Sequence, residues 1–452
     1  MRFEEIKNVL FDAAMRAGLT EYDVYYRFGE DEGAEALNGA LSSCSSGAAG
    51  GVAFRCSVDG KIGAAATQCM EKEELEALIP RAVANAAVTD SDEEPIFFAP
   101  SDTDEYKTVN VTLPTLPGVA TLRRVCMDLQ DKMYAECSMM TDGTTSAAGA
   151  SCVTVALANS KGLSLSREAG AVYTYVEPII HDGKEPSFGS AIAATLEESD
   201  IVKKATREAL ARLGATTVAT GTYDVIFEAR QMRSLLGAFA GIFSGKNALL
   251  GLSLLSGKEG EQIASPLLTI LDDPFYAENT MQCAFDAEGV PTREKVLVDG
   301  GVLKTLLYDL TNAKKAGVRT TGNAARGYAD PVAIAPYCLR IQKGNESRDA
   351  LIARMVDGLY ITEMKGLHSG ADAVTGDFSI ESAGFLVKDG KIVEPVRGAT
   401  LIGKGSEVLM KIDRVGTNLE RAQGVCGSMS GSVRTDVGQP RLRVSSMTVG
   451  GR

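Results

Sequence analysis

Apolar positions in the first 86 residues predict a helix, a strand, a hairpin and a second helix. Phe3, Ile6, Val9, Leu10, Ala13 and Ala17 share one helical face that Gly18 stops, after which Val24, Tyr26 and Phe28 alternate as in a strand. Residues 52–58 and 61–65 read as two strands around Asp59-Gly60. Asp tolerates and Gly favours positive φ, so this pair predicts a two-residue hairpin turn. From Glu71 onward, Leu75, Leu78, Ile79, Ala82, Val83 and Ala86 recur at helical spacing, with acids in the first turn to complement the helix dipole.

Residues 89–118 are rich in Asp, Glu, Pro and Thr and read as an exposed connection. Helical periodicity returns over 119–133. Strands follow around 152–157 and 171–176, joined through Asn159-Ser160-Lys161-Gly162, and a helix over 200–213 is ended by Gly214. This order loosely repeats the first, which suggests an internal duplication. Beyond Gly221, residues 223–227 read as a strand and 231–243 as an apolar helix. Short strands then dominate, such as 295–298 with 302–308, and 384–388 with 391–396 around Asp389-Gly390. The pattern predicts an α+β fold in two domains: residues 1–220, mixed α/β, and residues 221–452, mostly antiparallel and barrel-like.

A chain of 47.6 kDa with 45% hydrophobic residues can bury a sizeable core. Its formal net charge of -13 repels phosphate backbones, and no Lys/Arg cluster with interleaved aromatics offsets this locally, so direct nucleic-acid binding is not expected. The start, Met1-Arg2-Phe3-Glu4-Glu5-Ile6, puts two acids where a signal peptide needs a basic region, and apolar runs such as 248–250 are broken by Gly251 and Ser253. A cytoplasmic protein without membrane attachment is expected.

Only two histidines occur, His181 and His368, both in polar, turn-like contexts that predict exposure. This scarcity limits metal and acid/base chemistry, because imidazole is the commonest metal ligand and the usual base near neutral pH. The nine cysteines include no C-x-x-C pair and read as small buried hydrophobes, Cys426 apart. Residues 241–247 nearly resemble a phosphate loop, but the glycine spacing is one residue short and Asn247 stands where Ser or Thr would hold magnesium. No G-x-S-x-G elbow is present. Asp272-Asp273, Asp286 with Glu288, and Asp372 with Asp377 could supply oxygen ligands or an acid/base pair. Beside Pro274, Gly289 and Gly376 they read more readily as turn caps.

Several C-terminal segments stand in an order that is similar to one known family. They are Ser265-Pro266-Leu267-Leu268-Thr269-Ile270 with Asp272-Asp273-Pro274; Phe285-Asp286-Ala287-Glu288-Gly289-Val290-Pro291-Thr292; residues 301–309; Thr321-Gly322-Asn323-Ala324-Ala325-Arg326; Gly376-Asp377-Phe378-Ser379; residues 394–403; and Val437-Gly438-Gln439-Pro440. With the Gly51-Val52-Ala53-Phe54-Arg55 hairpin, the chain resembles the TldD/TldE family over nearly its whole length. The likeness is to the TldE, or PmbA, branch, historically labelled modulator of DNA gyrase.

The resemblance implies a zinc peptidase partnership. TldD carries H-E-x-x-x-H on the first helix of its C-terminal domain and a third ligand, Cys, near its C-terminus, whereas TldE lacks the histidines. By resemblance, Gly237 and Ile242 occupy the histidine positions here and Ala238 the position of the catalytic Glu. Gly424-Val425-Cys426-Gly427 matches the cysteine segment, but one thiolate cannot hold a zinc that needs three protein ligands. Gly237, Ala238, Ile242 and Cys426 therefore mark a degenerate active-site region with no catalytic and no metal-ligating residue. No cofactor is expected in this chain, and zinc only in a TldD-type partner. Cys426 is open to three readings: a vestige, a structural thiol, or a group facing a partner's site.

The function implied is that of a subunit of a cytoplasmic TldD/TldE-type metallopeptidase complex acting on unfolded peptides, itself inactive alone. The alternative is a stand-alone homodimer that binds peptides or another ligand without hydrolysis. A third reading is a peptidase with an unrecognised site. The partners expected are accordingly a TldD-like subunit or a second copy, and an unfolded peptide.

Overall fold

The computed structural model describes residues 2–90, 96–109, 114–197, 200–277, 282–417, 425–428, 431–434 and 439–451. Helix α1 (Phe3–Arg16) ends where Gly18 takes φ +74°, and it buries Ile6, Leu10, Ala13 and Ala14 against Tyr22, Val24 and Phe54. Strands β1 (Tyr22–Leu37), β2 (Ala40–Val58) and β3 (Lys61–Thr67) form a meander. Its Asp59-Gly60 turn has positive φ at both residues, as the sequence predicts. The helix expected from Glu71 is split into α2 (Lys72–Glu76) and α3 (Leu78–Val88). Pro80 explains the break, since it has no N–H to bond the Glu76 carbonyl.

Helix α4 (Val119–Glu136), the hairpin β4 (Thr145–Asn159) and β5 (Ser164–Glu177), the small ribbon β6 (Ile179–His181) and β7 (Pro186–Phe188), β8 (Ala191–Ala193) and α5 (Ile201–Ala211) follow. One six-stranded sheet runs in the order β3-β2-β1-β4-β5-β8. Each half of this sheet contributes a helix, a long hairpin, a short outer strand and a closing helix, and the halves meet where β1 pairs antiparallel with β4. That arrangement has the symmetry the loose sequence repeat suggests.

Past residue 220 the chain forms β9 (Gly221–Phe227), α6 (Ala229–Ala238), a 3-10 turn (Ala240–Phe243) and α7 (Gly245–Leu249). Next come β10 (Ile270–Asp272), β11 (Lys295–Asp299), β12 (Val302–Leu303), α8 (Leu310–Ala316), β13 (Ala324–Ala325), β14 (Ala333–Ile334), β15 (Leu339–Ile341) and α9 (Arg348–Ala353). The last elements are β16 (Asp357–Lys365), α10 (Leu367–Gly370), β17 (Asp377–Lys388), β18 (Lys391–Lys404), α11 (Gly405–Met410), β19 (Ile412–Val415), β20 (Val425–Ser428), β21 (Gly431–Arg434) and β22 (Leu442–Gly450).

Strands β18, β17, β16, β9 and β22 lie side by side, and pairing of β18 with β22 closes them into a five-stranded barrel. All of its pairings are antiparallel except β16 with β9. A smaller sheet, β12-β11-β10-β15, shares one apolar core with the barrel, α6 and the 3-10 turn. The fold is thus α+β with a barrel-like, mostly antiparallel C-terminal part, as expected. No described helix is long and apolar enough to cross a membrane.

Three local expectations fail for physical reasons, and a fourth, the exposed connection, holds except at particular contacts. The connection 96–109 is not simply exposed: Phe97 is buried under the Arg55 guanidinium, and Tyr106 Oη donates to the Gly289 carbonyl at 2.8 Å. The helix over 231–243 stops at Ala238, because Phe239 adopts φ -98°, ψ 5° and the chain tightens into the 3-10 turn. The strand expected over 302–308 ends at Leu303, and the Leu307 backbone bonds Phe243 and Gly245 instead. Cys44 and Cys69 are exposed rather than buried; Cys44 lies on the exposed part of β2, whereas Cys56, Cys126, Cys137, Cys283 and Cys338 are buried.

Candidate functional site

Helix α6 starts at Glu228, whose side chain accepts from the Ala229 N–H and pairs with Arg441 at 2.7 Å, while Gln231 donates to the Thr362 carbonyl. These bonds fix the helix against the barrel. Gly237 and Ala238 fall in its last turn, both half-buried. Ile242 lies beyond the break, 5% exposed, in the apolar core with Met232, Leu235 and Phe239. Its side chain therefore packs as core.

Strand β20, which carries Cys426, runs alongside α6, and Cys426 pairs through its backbone with Val433 of β21. The Cys426 side chain lies outside the described residues. The structure thus places the strand with Cys426 beside α6, the helix that carries Gly237 and Ala238, while Ile242 lies beyond the helix break. A hydrogen, a methyl and a hydrocarbon chain offer no lone pair, so the zinc of a metallopeptidase does not fit these helix residues. Among the described residues, no three His, Cys, Asp or Glu side chains converge as a metal site. His181 is exposed on β6, its Nδ1 accepting from the Gly183 N–H. His368 is also exposed, but on the short helix α10, which packs against α6.

A second, polar site lies where the N-terminal sheet meets the segment carrying β13 and β14. It is a cleft of about 600 Å³ whose charged lining includes Arg55, Lys246, Glu288, Asp309 and Arg326. On one wall, buried Asp23 receives both Arg55 and Arg326, the latter at 3.3 Å, and the Arg326 guanidinium lies 4.3 Å from the Tyr25 ring centre. Burial alone would raise the Asp23 carboxyl, but Arg326 and Arg55 outweigh it and hold it below the usual carboxylate range.

On the other wall, Asp286 accepts from the N–H groups of Glu288, Val290 and Ala324, and burial pushes it up to about 6. Glu288 is pushed up to about 8, first by burial and then by the Asp286 charge, against the pull of Arg55. It accepts from the Leu310 N–H at 2.9 Å, while Asp309 caps α8 through Asn312. Chemically, this is a charged clamp between the two parts of the chain, with one carboxyl able to hold a proton at neutral pH.

Of the carboxylates singled out by sequence, Asp286 and Asp372 cap turns as expected, the latter through the N–H groups of Val374 and Thr375. Asp377 pairs at the surface with Lys404. Asp273 also bonds its own turn, through the Phe275 N–H, and pairs with Arg340. Asp272 differs: it is 0% exposed on β10, ion-paired with Lys295 at 2.9 Å and bonded by the N–H groups of Tyr337 and Cys338. The triad of Asp23, Arg55 and Arg326 escaped sequence reasoning, since its members are brought together only by the tertiary fold.

Residues 220–451 match the family model for the PmbA/TldA metallopeptidase C-terminal domain, and residues 22–86 match the model for domain 1 of the same metallopeptidases. A metalloprotease of Methanothermobacter thermautotrophicus is 32% identical over 311 residues, covering 66% of this chain and 67% of its own length. A metalloprotease TldD homologue of Haemophilus influenzae is 38% identical over 261 residues, 55% of this chain; the chain spans about half that relative's length, 52%. In fold, the chain superimposes on a Thermotoga maritima protein described as a modulator of a DNA gyrase, with a TM-score of 0.87 at 28% identity, covering 99% of this chain and 100% of that one. Half of the chain matching one family model, and a relative this similar across two thirds of its length, decide the matter: the chain belongs to the PmbA/TldD metallopeptidase family.

Proposed function

We propose that this chain is a TldE-type, non-catalytic subunit of a TldD/TldE-type metallopeptidase complex that acts on unfolded peptides in the cytoplasm. The observation that carries this reading is the end of α6, where Gly237 and Ala238 offer no donor atom and Ile242 is packed in the apolar core. A TldD-type partner would supply zinc and the catalytic carboxylate. This chain, as two domains over 1–220 and 221–452, would complete the chamber. Strand β3 pairs only with residues 52–58 of β2, so residues 40–51 keep one backbone edge unpaired by β3, a place where an extended peptide could be held by sequence-independent main-chain bonds.

Co-expression with a chain carrying H-E-x-x-x-H tests this reading. Stable co-purification, with zinc counted once per pair and absent from this chain purified alone, is expected. Zinc bound stoichiometrically by this chain alone would refute it. The charged cleft around Glu288 favours a second reading, a homodimeric binding protein for a small polar ligand. That reading predicts a saturable ligand and no association with a TldD-type chain.

A further inference from the structure

The core beside α6 contains an apolar cavity of about 280 Å³, bounded by α6, the 3-10 turn, β10 and β15 on one side and β17, β19 and β22 on the other. Leu235, Phe239, Ile242, Phe243, Phe378 and Leu442 contribute to its walls, so Ile242, which by resemblance stands at a ligand position, faces hydrocarbon. A water molecule needs two to four polar partners, and these six side chains provide none. A charged or strongly polar guest would lose its hydration without compensation.

We propose that this cavity is a binding site for a neutral, apolar small molecule. Size sets the class: an apolar cavity of ~150 Å³ takes benzene, and this one is nearly twice as large, which suits a bicyclic aromatic or a medium-length alkyl chain. The mouth agrees with a neutral guest. Lys258 and Glu261, of opposite charge, stand there together, and the Gln262 amide nitrogen already donates to the Ala264 and Gly300 carbonyls. Ser406, exposed on α11, is the one hydroxyl among the described lining residues that could meet a small head group such as an alcohol. Half-buried Leu254 and Leu409 also line the cavity, which makes their side the entry. Filling of this site does not require a TldD-type partner.

Titration of the full chain with the fluorescent probe N-phenyl-1-naphthylamine, with 1-decanol as competitor, tests the proposal. One saturable site per chain is expected, emptied by decanol, with decanol also raising the melting temperature. Leu254→Trp and Leu409→Trp, which fill the cavity from two different positions, are each expected to weaken probe binding at least tenfold. If either variant fails to fold, the wild-type result alone decides. No saturable binding by the folded wild-type chain overturns the proposal. So does unchanged binding by both folded variants, or displacement by a phenylalanine-containing unstructured peptide but not by decanol, which would make the cavity a pocket for peptide side chains.

Discussion

Arg326 places its Nη2 3.3 Å from an Oδ atom of Asp23, across 303 positions of chain, and its side chain is only 1% exposed. This contact joins β1 of the N-terminal sheet to the β13–β14 segment. Breaking a buried pair leaves an uncompensated charge, at a cost of ~3–5 kcal/mol. Arg55 still faces Asp23 in an Arg326→Met variant, so a loss of about 3 kcal/mol, the lower end of that range, is expected in urea unfolding at pH 7. A loss below about 1 kcal/mol, the scale of an exposed pair, would show that the contact does not hold the two parts together.

The opposite wall of the cleft makes stability depend on pH. Burial and Asp286 raise Glu288 to about 8, above its ordinary value of 4.5. A carboxyl raised on folding stabilises the fold fully below its unfolded pKa, and that contribution is lost as pH climbs through the folded value. Glu288→Gln, which keeps an acceptor for the Leu310 N–H, should therefore gain in melting temperature relative to wild type as pH rises from 5 to 8.5. A difference that is flat across this window would mean that Glu288 is ionised throughout. Asp23 works in the other direction, since its contribution is present above its unfolded pKa and disappears only as pH falls through the depressed folded value.

Close contact between α3 and β3 depends on Gly63, where a Cβ would overlap the Ala82 carbonyl and the Ala86 side chain. Backbone on both sides cannot move independently, so Gly63→Ala should cost ~1–3 kcal/mol, as overpacking does. Gly60→Ala, with open space around it, provides the contrast: its cost comes only from positive φ. Denaturant midpoints that rank Gly60→Ala as the more damaging change would contradict this packing.

Much of the fold was legible because local physics set it. Gly18 stops α1, Asp59-Gly60 turns β2 into β3, Asp389-Gly390 turns β17 into β18, and Gly214 follows α5, each through positive φ at the expected glycine. The long arm of β1 and β2 beyond Phe28 carries little sequence signal. Its outer half is small and polar, with residues 40–49 exposed, so no apolar alternation marks it. Asn38-Gly39, both at positive φ, was the available hairpin signal. Closure of the barrel through Thr400, Leu401 and Ile402 against β22, and the buried roles of Asp272 and Glu288, depend on contacts far apart in sequence. At α6, only the resemblance places Gly237, Ala238 and Ile242 at the positions of a metal site; the helix break at Phe239 becomes visible only in three dimensions.

That break yields its own prediction. Ile242→His would bury an imidazole among Met232, Leu235 and Phe239 with no polar partner among those side chains. A loss of ~2–5 kcal/mol is expected from the lost packing and the unsatisfied ring nitrogens. Urea unfolding that shows little change, together with zinc uptake by Gly237→His/Ala238→Glu/Ile242→His, would mean that position 242 is free to turn toward α6.

The most direct test of the proposed non-catalytic role is cleavage of an unstructured peptide by this chain alone, by a TldD-type chain carrying H-E-x-x-x-H alone, and by their mixture, each with and without a zinc chelator. A non-catalytic subunit predicts cleavage that requires both chains and stops with the chelator. Cleavage by this chain alone that survives the chelator would contradict it, as would a mixture no more active than the TldD-type chain by itself.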